Sequence, residues 1–249
     1  MADISPQAIV EKGARIAPDV KVGPFCYIGS QVRIGAGCII DNNVTIVGRT
    51  TVGEKTHVYP MAVVGASPDD GEGECFVGKA CAIREQVTVY AGSARPTTIG
   101  DDNLIMIASS VGAGATVGDH GIFANCTIIE AAASVEDYVR SSAFAVVEEG
   151  RRVGSYTFIA GYVSIDRDAP PYAILQGMPY RVRGVNSENL KRCGFTEDDI
   201  RSLREAFREL FDQEARQVRA GVLDGYLHDE GVNACVRHLA QTLAGDKAQ

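Results

Sequence analysis

Tryptophan is absent from the 249 residues, which by itself excludes little. Other absences say more. No apolar run approaches the ~20 residues that a membrane-spanning helix needs, so no transmembrane segment is expected. The opening residues, Met1-Ala2-Asp3-Ile4, have neither a basic n-region nor an apolar h-region, so no secretory leader is expected either. The seven cysteines form no CxxC pair. An odd, scattered set fits neither a disulfide framework nor a zinc site. It points to buried thiols in a reducing cytoplasm, with no metal and no cofactor. An excess of positive charge is also missing. Lys and Arg number 24 against 32 Asp and Glu, a formal net charge of −8, which disfavours nucleic acid as a partner. Histidine is scarce too: His57, His120, His228 and His238 are all there are.

What the chain does have is a period of six. Ile4, Val10, Ile16, Val22, Ile28, Ile34, Ile40, Ile46, Val52, Val58 and Val64 keep one phase. The phase slips and restarts at Val77, Ile83 and Val89. It slips again and runs from Ile99 through Val111, Val117, Ile129 and Val147 to Ile165, broken only at Ser141. Four places after the aliphatic, almost every time, stands a small or β-branched residue, such as Ala8, Ala14, Cys26 or Cys38. Six fits neither a helix nor an ordinary strand. It fits a hexapeptide parallel β-helix, in which three hexapeptides make a coil. About nine coils stacked at ~4.8 Å give a rod roughly 40 Å long. Glycine often follows the aliphatic, as at Gly23, Gly53, Gly112 and Gly154, which suits a sharply turning backbone.

Two stretches interrupt the phase, residues 66–76 and 92–98. Their Gly, Pro and Asp content reads as loops thrown out of a coil, either functional or merely tolerated insertions. Arg151 falls in a small inward slot, where an unpaired guanidinium would be costly. The expectation is a local distortion of the coil, with an opening at an interface as the alternative. Pro170-Pro171 removes two donors and should end the ladder. The expected domains are therefore a β-helix over 1–170, and a connector with a C-terminal α-helical domain over 171–249. In the latter, helices are expected at 187–192, closed by Gly194, after Thr196 with a capping box to Asp199, and over about 232–243. Ile200, Leu203, Ala206, Phe207, Leu210 and Phe211 share the second helix's buried face.

Several stretches carry a family resemblance. They include Ile9-Val10-Glu11-Lys12-Gly13-Ala14, Ile83-Arg84-Glu85-Gln86-Val87-Thr88, Asp102-Asn103-Leu104-Ile105-Met106-Ile107 and Asp168-Ala169-Pro170-Pro171-Tyr172. The most specific is Gly184-Val185-Asn186-Ser187-Glu188-Asn189-Leu190-Lys191-Arg192-Cys193-Gly194-Phe195. Together they resemble the acyl-carrier-protein-dependent UDP-N-acetylglucosamine O-acyltransferases of lipid A synthesis, over almost the whole chain. The resemblance implies an all-β left-handed parallel β-helix, against the usual right-handed crossover rule. It also implies a homotrimer with sites between subunits, a nucleotide sugar as ligand and acyl carrier protein as partner. Gln176, Asn186, Glu188 and Arg192 match residues that hold the nucleotide, and Asp70 is the best match to an Asp presented to the sugar. Cys193 stands where a second Arg usually follows Arg192. An acidic carrier calls for a basic patch, for which Arg151, Arg152, Arg181, Arg183 and Lys191 are candidates; a solvated surface is the alternative role.

The same register removes the chemistry. The family's general base is a His that deprotonates the sugar hydroxyl. Its position falls on Ala113, and the other family His positions fall on Ser110, Ala132 and Glu148. The Asp that follows the base falls on Gly114. None of the four histidines lies at a family active-site position; His57 and His120 read as solvated surface. Three functions fit: a non-catalytic homologue that keeps the scaffold and a UDP-sugar site; a transferase with a relocated base such as Glu148, Glu149 or Asp70; or the family reaction at low efficiency. The residues favour the first.

Overall fold

The computed structural model describes residues 2–67, 73–211 and 218–245. The aliphatic of each hexapeptide is the second residue of a short strand, as in Lys21–Val22, Tyr27–Ile28 and Arg33–Ile34. Its partner turns outward. Successive strands from Asp3 to Ile165 go to three different sheets, so each pairs in parallel with one a full coil away, Asp3 with Lys21 and Ile4 with Val22 for example. The three sheets hold 11, 9 and 8 strands, and the nine of the second sheet count the coils of a left-handed parallel β-helix. Inward columns of Val, Ile and small residues fill the rod: Val20, Ile28, Val44, Ile46, Val58 and Val64 are all fully buried.

Glycine after the aliphatic has a different cause from the one its position suggests. The left-handed residue of each turn comes two places later, and it is rarely glycine: Phe25, Lys55, Met61, Asp102, Ala132 and Tyr156 all take φ between 53° and 65°. Gly53 and Gly112 are instead sites of close approach between coils. A Cβ on Gly53 would lie 2.6 Å from the Gly78 carbonyl, and one on Gly112 would lie 2.4 Å from the Ala131 nitrogen.

Ser141, the break in the third run, faces inward with Thr127. Their hydroxyls are 2.7 Å apart, and the Thr127 hydroxyl also donates to the Ala124 carbonyl, so the polar pair is satisfied inside the core. Arg151 does not distort its coil. The ladder stays in register from Ser134–Val135 to Arg152–Val153, and Arg151 is exposed. The strand Arg152–Val153 ends the third sheet, with only the Asp168-Ala169 segment bridged to it beyond.

Nor do the prolines end the first sheet. Ala173–Gln176 pairs in parallel with Phe158–Ile159, and then in antiparallel with Arg181–Val185. The Pro170 carbonyl accepts the Thr157 hydroxyl, so the prolines bridge a corner and the ladder resumes beyond them. Four helices follow: α1 (Ser187–Arg192), α2 (Glu197–Leu210), α3 (Ala220–His228) and α4 (Ala234–Gly245). The capping box is present, with Thr196 accepting from the Asp199 N–H and the Asp199 carboxylate accepting from the Thr196 N–H. An aromatic ladder fastens helices to rod. Tyr138, Tyr156 and Tyr172 stack face to face, and Phe195 packs edge-on to Tyr156 and Tyr172.

Candidate functional site

The positions that the family register marks for chemistry lie along one corner of the rod, where the second sheet turns into the third. Here Gly112-Ala113-Gly114, Glu130-Ala131-Ala132 and Glu148-Glu149-Gly150 lie one above another. The Ala132 N–H donates to the Ala113 carbonyl, and the Gly150 N–H to the Ala131 carbonyl, both at 3.0 Å. Ala113 and Ala132 are half-buried and bring only methyl groups. Ser110 sits on the outward face of the second sheet between Thr88 and Ile128; among the described residues nothing hydrogen-bonds its hydroxyl. Glu148 is half-buried and accepts the Ser164 hydroxyl at 2.7 Å. Glu149 is exposed, and its N–H donates to the Glu130 carboxylate.

A residue without a place in the sequence reading dominates this corner. Arg95, from the interruption 92–98, lays its guanidinium across the stack. Nε donates to the Gly114 carbonyl and a terminal nitrogen to the Ala132 carbonyl. The Thr97 hydroxyl, two residues on, accepts from the Gly114 N–H at 2.8 Å, so the loop is tied down at both ends of the turn. The space exists because position 114 is glycine: a Cβ there would come 3.0 Å from Arg95 Cγ. An arginine between Gly92 and Pro96, in an interruption of the six-residue phase, was the available signal.

Chemically, the corner holds a permanent cation. A guanidinium stays protonated throughout the working range, so it can attract an anion or polarise a carbonyl but cannot take a proton. Among the described residues no side chain hydrogen-bonded at this corner is an imidazole.

The binding candidates are dispersed. Asp70 lies outside the described residues. Gln176 is exposed at the end of the hairpin and is the Cα partner of Arg181. Asn186 precedes α1 but does not cap it with its side chain; that amide is buried and donates to the Tyr156 carbonyl at 2.8 Å. Glu188, in the first turn of α1, and Arg192, in its last, are both exposed. Lys191 is paired with Glu197 at 2.9 Å, which holds the Glu197 carboxyl below its ordinary value and the lysine above its own. An exposed pair of this kind adds little stability.

Arg181 and Arg183 alternate with buried Val182 and so share one outward face. Arg152 is half-buried and ion-paired with Glu136 at 3.1 Å. Arg152, preceded by Arg151, and Arg181–Arg183 lie on the terminal strands of two sheets, at the helical end of the rod.

The histidines are engaged rather than merely solvated. His57 contacts the Asp41 carboxylate at 2.8 Å and stacks on Tyr59, over which Arg84 also lies. His120 contacts Asp102 at 2.9 Å and extends the aromatic ladder onto Tyr138. Neither stands at the corner of Ala113. Among the described residues, no group of three His, Cys, Asp or Glu is placed to hold a metal ion, and no helix is long and apolar enough to cross a membrane.

Comparison with known proteins gives a consistent result. A family model described as Udp N-acetylglucosamine O-acyltransferase, domain 2, matches residues 168–247. The acyl-[acyl-carrier-protein]–UDP-N-acetylglucosamine O-acyltransferase of Bartonella bacilliformis is 37% identical over 229 residues, covering 89% of this chain and 83% of its own. Its Bartonella quintana counterpart is 40% identical over 217 residues, covering 84% and 79%. Among solved structures, the UDP-N-acetylglucosamine O-acyltransferase of Moraxella catarrhalis superposes with a TM-score of 0.90 at 27% identity, covering 97% of this chain and 96% of that one. The Arabidopsis UDP-N-acetylglucosamine acyltransferase superposes with a TM-score of 0.84 at 29% identity, with the same coverage.

Proposed function

Since the chain belongs to the acyl-carrier-protein–UDP-N-acetylglucosamine O-acyltransferase family, we propose that it is a non-catalytic member, which keeps the scaffold and binds a UDP-sugar without transferring an acyl group to it. One observation carries this reading. Where the register puts the family's base stands Ala113, and the turn around it is covered by the Arg95 guanidinium held on the Gly114 and Ala132 carbonyls. Deprotonating a sugar hydroxyl requires a proton acceptor within hydrogen-bond reach; the Ala113 turn itself offers a methyl group and a cation, and the carboxylates of this corner stand on the coils beyond it, Glu130 accepting the Glu149 N–H. Glu148 is engaged with Ser164.

Retained binding rests on Arg192, an exposed guanidinium fork suited to phosphate, with Glu188 on the same short helix. Arg181 and Arg183 supply a basic face for an acidic carrier. Self-association is supported by exposed apolar side chains along the corner between the first and second sheets: Phe25 and Met61 on either side of Asn43, and, three coils beyond Gln86, Phe144 and Tyr162 stacked on each other. Exposed apolar surface of this kind marks interaction sites.

The test is turnover and binding on one preparation. Purified protein given acyl carrier thioester and UDP-N-acetylglucosamine should release no acylated product above background. Calorimetry should register UDP-N-acetylglucosamine binding, abolished by Arg192→Ala. Turnover within tenfold of a histidine-containing relative would overturn the non-catalytic reading, and no heat at millimolar ligand would overturn retained binding.

A further inference from the structure

On the N-terminal side of that corner, in the first four coils, lies a feature outside the positions that the register marks for chemistry; its Glu74 edge is hydrogen-bonded to Gly92, the residue that begins the Arg95 loop. A groove of about 340 Å³ opens on the outer face of the third sheet, lined by Arg15, Arg33, Arg49, Thr51, Glu74 and Phe76 among others. The volume is that of a small-molecule site. Its composition is unusual for a chain with a net charge of −8.

The register gives the groove its order. Arg15 faces Arg33 directly across the ladder, Arg33 faces Thr51, and Thr51 faces Phe76. Like charges opposite each other on one face are destabilising. Among the described residues neither Arg15 nor Arg33 has an ion-pair partner, and both are exposed. Glu74 is ion-paired with Arg49 at 3.5 Å. Glu11, one turn away, uses both carboxylate oxygens on the Tyr27 hydroxyl and the Ser30 N–H. On the far side the face continues past Glu54 and Lys79, one charge of each sign. Two adjacent unpaired guanidinium forks thus line this groove and the shallower face beside it, an arrangement suited to a diphosphate, whose oxygens accept paired N–H donors.

The other end of the column is aromatic. Phe76 is 40% exposed, and its strand is two steps from that of Arg33, about 10 Å at the usual strand spacing. A flat ring, a hydroxyl from Thr51 and then two guanidinium groups follow the order base, sugar, phosphates. We propose that this groove is a binding site for a nucleoside diphosphate, with the phosphates on Arg15 and Arg33 and the base on Phe76, separate from any UDP-sugar site near Arg192.

Calorimetry of the full-length protein with adenosine diphosphate tests it, with inorganic pyrophosphate as the second probe. Binding should weaken at least tenfold in Arg15→Ala/Arg33→Ala and severalfold in Phe76→Ala, and stay unchanged in Arg192→Ala. Pyrophosphate should bind more weakly than the nucleotide and be indifferent to Phe76→Ala. Removing two repelling charges should leave the thermal midpoint unchanged or higher, so loss of binding would not reflect loss of fold. Absence of heat at millimolar nucleotide, affinity that survives the double substitution, or affinity lost with Arg192→Ala would overturn the site. Equal affinity for pyrophosphate and nucleotide would overturn the role given to Phe76.

Discussion

At the scale of single residues, contact between coils decides what is tolerated. Gly53 and Gly112 have ordinary backbone angles, yet a Cβ on either would run into the backbone of the next coil. Gly53→Ala should therefore cost roughly 1–3 kcal/mol, the usual range for overpacking. Gly150 is the converse. Its φ is +68°, but nothing lies within 4 Å of a built Cβ, and alanines adopt the same conformation at positions 80, 108 and 132. Gly150→Ala should cost less, about 1 kcal/mol or below. Urea denaturation of the two variants should rank them in that order; equal costs would show that the turn conformation, not the coil contact, is limiting.

Buried thiols give a second residue-scale consequence. Burial pushes Cys75 up to about 12 and Cys81 up to about 11, from an ordinary value of 9.0. A thiol whose pKa is raised on folding holds its proton more tightly in the folded state. Its contribution is complete below pH 9 and is lost as pH rises through 11 and 12. The urea midpoint should be flat near neutrality and fall above about pH 9, less steeply in Cys75→Ala. A midpoint that fell equally in both proteins would assign the alkaline loss to other groups, such as buried Tyr172, whose pKa is also raised by burial.

Elements divide into those whose signal is local and those whose signal is not. Each strand is set by two neighbouring residues, one inward and one outward, so the period of six located nearly all of them from Ile4 to Ile165. α1 was legible for the same reason, through a closing glycine, and α2 through Thr196 and Asp199. Thr196→Ala should remove the side-chain half of that cap, leaving the Asp199 carboxylate on the backbone N–H of residue 196, and cost about 1 kcal/mol, read as a lower midpoint of the helical signal. Asp199 is held below its ordinary pKa first by the Asn233 side chain and then by Thr196. Its contribution is present above the unfolded value of 3.8 and lost as pH falls through the folded one. α3 was not foreseen, since its one fully buried side chain, Leu223, leaves almost no periodic stripe. The hairpin after the prolines was missed because its partner strand, Phe158–Ile159, lies outside any local window. At the candidate site the register was readable as an expectation, that Ala113 and Gly114 stand where the resemblance puts a base and an Asp. Arg95 was not, because what it covers is set by how a loop folds back over the coils beside it.

For the whole molecule, the exposed side chains of Phe25, Met61, Phe144 and Tyr162 separate a solitary rod from an assembly. If these faces meet in the proposed trimer, Phe144→Glu/Tyr162→Glu should convert it to monomers in sedimentation velocity, with little change in the monomer's far-UV spectrum. A wild-type protein that sediments as a monomer at micromolar concentration would remove this support.

The two ends of the rod are unlike. At the C-terminal end, Tyr172, Tyr180 and Leu190 are buried and the helices cover the last coil. At the other end Ile4 is 38% exposed, and Val10 and Ile16 are only half-buried, so the first coil has a neighbour on one side alone. In a stack where each layer is stabilised by the next, the ladder bonds lie along the long axis, in line with a pulling force. Such a rod behaves as a zipper with one free end. Under tension it would open from the N-terminus one coil at a time, each step freeing the 18 residues that separate Asp3 from Lys21, with the helical end the last to yield.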